Sequence, residues 1–147
     1  MPTATATYTS HGFTTTPVSL TQGTPALAAG QMEQTFAGDL VGDGTSHFTL
    51  YAPLSAATDR SLPQPGETTL FEGIQVFEGT LLGRRGTFAA SSRGVITAGA
   101  VDTQLAIYPG SGTGELAGIS GRGRSAVRAG QTEGIEFVLE VVFTQAA

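Results

Sequence analysis

The sequence predicts an all-β fold, an eight-stranded antiparallel up-and-down barrel, and three observations lead there. Short runs rich in threonine, valine and phenylalanine alternate with glycine or proline punctuation, as strands separated by turns do. The i, i+3, i+4, i+7 apolar spacing of a helix is almost nowhere present. Glycine accounts for 21 of 147 residues, about twice the roughly 7% usual in soluble proteins, and it recurs where runs end and tight turns need positive φ. The length, residues 1–147, fits one domain with a single core.

In chain order, the first strands are Ala4–Tyr8 and Pro17–Thr21, threonine-rich as β-branched preference favours. Met32–Leu40 follows, with Gln34 between Met32 and Phe36 on one face, and Gly42-Asp43-Gly44 supplies a turn. Ser46–Tyr51 sets His47, Thr49 and Tyr51 on one face and Phe48 and Leu50 on the other, leaving open which is interior. Residues 53–67, with Pro53, Pro63, Pro65 and Gly66, are too proline-rich for a strand and too long for a tight turn. They are expected to form a long loop at one barrel mouth, either a passive insertion or a lid. Thr69–Thr80 places Phe71, Gly73, Gln75 and Phe77 opposite Glu72, Ile74, Val76 and Glu78. Turns at Gly83-Arg84-Arg85-Gly86 and Arg93-Gly94 bracket Gly86–Ser91, and Val95–Tyr108 is long enough to bend near Gly99. The last strand, residues 135–143, alternates most clearly: Ile135, Phe137, Leu139, Val141 and Phe143 on one face, with Glu136, Glu140, Val138 and Val142 on the other. About eight such strands close most economically into a barrel, which removes exposed edges; a sandwich is the alternative.

Composition narrows the chemistry. All seven basic residues are arginine, against twelve acids, for a net charge of −5. No basic stripe of the kind a nucleic-acid binder needs is evident, so no nucleic-acid partner is expected. Without lysine or cysteine, Schiff-base and thiolate chemistry are excluded, as are disulfides. No apolar run is long enough for a membrane span and the start lacks a signal-peptide pattern, so a cytoplasmic protein without membrane association is expected. The two histidines, His11 and His47, have no metal-ligand spacing, and no metal or other cofactor is expected. Gly112-Thr113-Gly114-Glu115-Leu116-Ala117 matches a dinucleotide fingerprint. That fingerprint works by opening a helix, and Gly118, Gly121 and Gly123 argue against one; the string Pro109–Gly123 reads as a turn between strands, with anion binding by its backbone amides as the alternative.

Several polar residues are site candidates. If the His47 and Tyr51 face points inward, an imidazole and a phenol meet in an apolar interior as an acid/base or oxyanion pair; if outward, His47 is solvated. Glu78 beside Ile74 and Val76 is either a carboxylate tuned for acid/base work or a surface carboxylate. Gln34 and Gln75 interrupt apolar faces, and a buried amide needs partners, so each is satisfied in the core or faces a ligand. With Phe36, Phe71 and Phe77 they form the substrate-binding candidates, and His47, Tyr51 and Glu78 the catalytic ones. Gln75 and Glu78 lie on opposite faces of a regular strand, so both are interior only with a bulge.

Four stretches carry a resemblance: Phe36-Ala37-Gly38-Asp39-Leu40-Val41-Gly42-Asp43-Gly44-Thr45, Phe71-Glu72-Gly73, Phe77-Glu78-Gly79-Thr80-Leu81-Leu82-Gly83-Arg84-Arg85-Gly86-Thr87-Phe88, and Pro109-Gly110-Ser111-Gly112-Thr113-Gly114-Glu115-Leu116-Ala117-Gly118-Ile119-Ser120-Gly121. They resemble a bacterial, largely uncharacterised family of allene-oxide-cyclase-like barrel proteins, over about Gln31 to Phe143. The resemblance implies an eight-stranded barrel with an apolar cavity, often in a homo-oligomer. The catalytic polar residues of the plant cyclases fall outside the matching stretches, so none is carried over. The resulting expectation is a cofactor-independent cyclase or isomerase acting on a small, largely apolar molecule. A lipocalin-like binder and a structural homo-oligomer with a filled barrel are the alternatives.

Overall fold

A computed structural model describes residues 2–18, 26–52, 68–97 and 100–144. Eight strands form a closed antiparallel barrel in which every strand pairs with its chain neighbours and β1 pairs with β8. The strands are β1 Thr3–Val18, β2 Ala26–Gly38, β3 Leu40–Ala52, β4 Thr68–Leu81, β5 Arg84–Thr97, β6 Ala100–Ile107, β7 Ile119–Val127 and β8 Ile135–Phe143. The predicted barrel is therefore the observed fold, although several strands begin and end elsewhere. Ala4–Tyr8 and the start of the expected strand Pro17–Thr21 belong to one strand: β1 runs to Val18, past a bulge between His11 and Thr14 where Gly12 takes φ +62°, and residues 19–21 lie outside the described residues. The expected turn at Gly42-Asp43-Gly44 lies inside β3, since the chain reverses at Gly38 and Asp39 instead. Arg93-Gly94 likewise lies within β5, and Val95–Tyr108 divides into the end of β5 and β6. The predicted hairpin at 83–86 is tighter than expected, turning at Leu82 (φ 50°) and Gly83 (φ 81°). The proline-rich stretch 53–67 falls outside the described residues, and so does its reading as a loop or lid.

Alternation decides what faces inward. Ala4, Ala6 and Tyr8 of β1 are buried while Thr3, Thr5 and Thr7 are exposed. On β8, Ile135, Phe137, Leu139 and Val141 are buried as expected, whereas Val142 is exposed and Val138 half-buried. Several glycines occupy interior positions so that a neighbouring ring can lie flat on the backbone: a Cβ on Gly30 would overlap Phe48, and one on Gly94 would come within 2.8 Å of the Phe71 ring. Large and small residues thus alternate around the interior, as a narrow barrel requires.

One end of the barrel is closed. Leu40, Leu81, Leu116, Ile119 and Val141 pack there, all essentially without exposure. Leu116 is delivered by a 3-10 turn, Gly114–Leu116, in the middle of the glycine-rich string. That string is more than a turn between strands. β6 pairs only with Ala90–Thr97 of β5, leaving the first half of β5 without a partner on that side. Ser111, Thr113 and Glu115 supply one: Ser111 Oγ accepts from Ala89 N at 3.1 Å, Thr113 Oγ1 from Thr87 N at 3.1 Å, and Glu115 Oε1 from Arg85 N at 3.1 Å. Thr113 N also donates to Thr87 O at 2.9 Å. Three side-chain oxygens and the Thr113 amide are thus spent on this edge, so the dinucleotide-like spacing has a structural explanation.

Candidate functional site

Above the packed end, aromatic rings fill the section of the barrel between the plug and its open half. Phe36 contacts Phe77 and Phe137 at centroid distances of 5.7 and 5.0 Å, and Phe77 lies 5.2 Å from Phe88. Tyr8 joins them, 5.4 Å from Phe36 and edge-on to Phe137. Its hydroxyl continues upward into a layer of polar side chains.

That layer is the floor of a cavity of about 280 Å³. Gln34, at the centre, is buried with Gln75 and Ser46. Gln75 Nε2 donates to Gln34 Oε1 at 2.7 Å, and Ser46 Oγ donates to the same oxygen at 3.2 Å. The carbonyl of Gln34 thereby has both lone pairs occupied. Gly44 makes room for the pair: a Cβ there would stand 2.8 Å from Phe36 Cε2 and 3.1 Å from Gln34 Oε1. Burial pushes the Tyr8 phenol above its ordinary pKa, and the neighbouring Ser125 and Gln34 side chains pull it partly back. Ser125 Oγ is near enough to influence the phenol yet has no partner with hydrogen-bond geometry.

The walls rise from this floor as mostly apolar surface, interrupted by Ser10, Ser92 and Thr103. Met32, Phe48, Phe71, Ile96, Val101, Leu105 and Val127 line them. Phe13, Phe48 and Phe71 form a contiguous arc toward the mouth, with centroids 5.7 and 6.0 Å apart. The connection between β7 and β8 closes part of the rim, contributing Arg128, Gly130, Gln131 and Thr132. Gln131 organises it by accepting from Arg128 N at 3.0 Å and donating to the carbonyls of Glu133 and Gly134, both at 3.2 Å.

The candidate residues divide by face. Gln34, Gln75 and Phe71 line the cavity. Phe36 and Phe77 point inward but lie beneath it, in the aromatic layer. His47, Tyr51 and Glu78 are on the outer surface, Tyr51 with 37% exposure. The inward His47 and Tyr51 arrangement is therefore not the one the fold adopts, because Ser46, Phe48 and Leu50 take the interior positions of β3. β4 is regular, so the register that buries Gln75 turns Glu78 outward. Tyr8, Ser46, Phe48, Phe13 and Ser125 were not among the sequence candidates. The alternation of Ala4, Ala6 and Tyr8 against threonines was the available signal for Tyr8; Ser125 lies in β7, a strand hidden within a glycine-rich run.

The chain is thus a closed eight-stranded barrel, plugged at one end, with a small cavity toward the other that is mostly apolar in its walls and hydrogen-bonding at its floor. It belongs to a family described as "Protein of unknown function (DUF3224)", whose profile matches residues 4–139. A solved structure of a protein of unknown function from this family, from Shewanella oneidensis MR-1, is similar at a TM-score of 0.70 and 21% identity, over 99% of each chain. No curated protein matches the chain significantly.

Proposed function

We propose that the barrel binds a small, mostly apolar molecule in this cavity. The observation that carries the reading is the combination of mostly apolar walls and a hydrogen-bonding floor within about 280 Å³. That volume is near the lower end of the roughly 300–1,000 Å³ typical of small-molecule sites. A molecule seated there removes apolar surface of its own and of Phe48, Phe71 and Val101 from water, which supplies the affinity. The floor fixes its orientation. Self-association, which the family resemblance implies, has its support in the outward Leu70, Ile74 and Val76 of β4, all exposed; sedimentation of the purified chain reads it. A cytoplasmic site of action is consistent with charged residues along the outer faces, Glu72, Arg93, Arg122, Arg124 and Glu140, where a lipid-facing barrel carries an apolar band. No helix among the described residues is long and apolar enough to cross a membrane.

A thermal-shift screen of small neutral molecules tests the binding. A ligand at about 100 times its Kd is expected to raise Tm by roughly 5–10 °C. Thr103→Phe, which places a ring in the cavity, should abolish that rise while far-ultraviolet circular dichroism stays unchanged. An equal rise in the variant would put the ligand elsewhere and defeat the reading.

The second reading is a cofactor-independent cyclase or isomerase, the activity the allene-oxide-cyclase resemblance suggests. Tyr8 is the feature that favours it: a buried phenol kept protonated can polarise a carbonyl or epoxide oxygen, and steric confinement can direct ring closure. Turnover lost in Tyr8→Phe with ligand affinity largely retained would support this reading. Unchanged turnover would rule out that role for Tyr8.

A further inference from the structure

The floor of the cavity differs from its walls in its balance of hydrogen-bond donors. Gln34 Oε1, the most central acceptor, already receives Gln75 Nε2 and Ser46 Oγ. Around it stand the remaining amide hydrogens of Gln34 and Gln75, the Gln75 carbonyl, and the Tyr8 and Ser125 hydroxyls, which lie against one another and can each still donate to an added acceptor. Ser125 is 7% exposed and lines the cavity, and its oxygen is one of two buried side-chain polar atoms without a partner among the described residues. Buried hydroxyls are ordinarily satisfied; this one lies against the Tyr8 phenol at the cavity floor, where an added acceptor can engage both. Burial also keeps the Tyr8 phenol protonated and able to donate.

Resting on the binding reading above, we propose that the buried end of the ligand is a neutral carbonyl oxygen, received by the hydroxyl groups of Tyr8 and Ser125 beside the Gln34–Gln75 amide pair. A carboxylate also accepts hydrogen bonds, but it would have to shed its hydration without meeting a counter-charge. Among the described lining residues the only ionic side chain is Arg128, exposed at the rim. An anionic group is therefore accommodated at the mouth and a neutral acceptor at the floor. The volume also selects for size: about 280 Å³ is the space of roughly nine waters at ~30 Å³ each. A single ring with a carbonyl substituent fits within it.

Three molecules of similar shape separate the possibilities: acetophenone, a neutral acceptor; benzoate, an anionic one; and ethylbenzene, which has no acceptor. Binding is followed by nuclear magnetic resonance titration of the full chain, including the side-chain amides of Gln34 and Gln75, and the carbonyl stretch of bound acetophenone by infrared difference spectroscopy. Acetophenone is expected to bind about tenfold more tightly than benzoate, with its carbonyl stretch lowered relative to that in an apolar solvent. In Tyr8→Phe or Ser125→Ala that preference should fall by about three- to tenfold, with the stretch moving back, while ethylbenzene affinity stays the same. Ser125→Ala alone decides the matter if Tyr8→Phe does not fold. Benzoate binding as tightly as acetophenone, or both folded variants retaining full acetophenone affinity and the same stretch, would overturn the carbonyl assignment. Ethylbenzene binding equally well would do so too while leaving the cavity a binding site. If none of the three perturbs a cavity resonance, the binding reading falls and the carbonyl assignment falls with it.

Discussion

Tyr8 couples the packed end of the interior to the cavity, because its ring belongs to the aromatic layer and its hydroxyl to the polar floor. Its titration should be visible in stability. Burial raises the phenol's pKa in the folded chain, so the unfolded chain gives up that proton first. This contribution is level below about pH 10, the ordinary tyrosine value, and stability then falls as pH climbs toward the higher folded value. Urea denaturation across that range should show a smaller alkaline loss for Tyr8→Phe than for the wild type. At Gly44 the constraint is steric: Gly44→Ala drives a methyl group toward Phe36 and the Gln34 carbonyl. It should cost about 1–3 kcal/mol in urea denaturation and weaken ligand binding by displacing the amide pair. Gln34 and Gln75 were legible as cavity residues because each interrupts an apolar strand face, and Phe71 because it shares the face of Gln75. His47 and Tyr51 were not resolvable, since both faces of Ser46–Tyr51 mix polar and apolar residues; only pairing with β2 and β4 decides the face.

At the level of elements, the glycine-rich string shows how a strand lacking a partner is completed without another strand. Side-chain oxygens two residues apart, on Ser111, Thr113 and Glu115, meet successive alternate amides of β5. The spacing of two matches the strand's own period, which is why the pattern looks like a phosphate-binding motif in sequence and behaves as an edge cap in structure. Thr113→Val should cost about 1 kcal/mol and speed hydrogen exchange at Thr87, with little change at the cavity. Leu116→Ala, which removes the side chain sealing the packed end, should cost about 2–5 kcal/mol by urea denaturation. The expected count of eight matched only because β1 was read as two strands while β7 was missed, and several boundaries were not legible. Gly42, Gly79 and Gly94 lie within strands, where backbones approach too closely for a side chain, and such glycines read as turns in a sequence. β7 was hidden for the same reason: Gly121 and Gly123 interrupt its inward face.

Across the whole molecule, seven of the eight strand pairings join chain neighbours, and the eighth joins β1 to β8. Partners such as Ala4 and Leu139 are separated by nearly the whole chain, so the closing seam carries the largest loop-closure cost. It is expected to form late. Leu139→Ala should therefore destabilise by about 2–5 kcal/mol, with most of the change in the unfolding rate and little in the folding rate; stopped-flow chevrons would read the division.

The plug at Leu116 would also give the proposed binding a direction. Among the described residues the base is sealed, so a ligand held as proposed would leave by the end at which it entered. The end bound for the amide and hydroxyl floor would lead on the way in, past the Phe13, Phe48 and Phe71 arc, and on departure those polar contacts would break first. Residence time would then be governed at the bottom of the vessel, and the rate of filling by the aromatic collar.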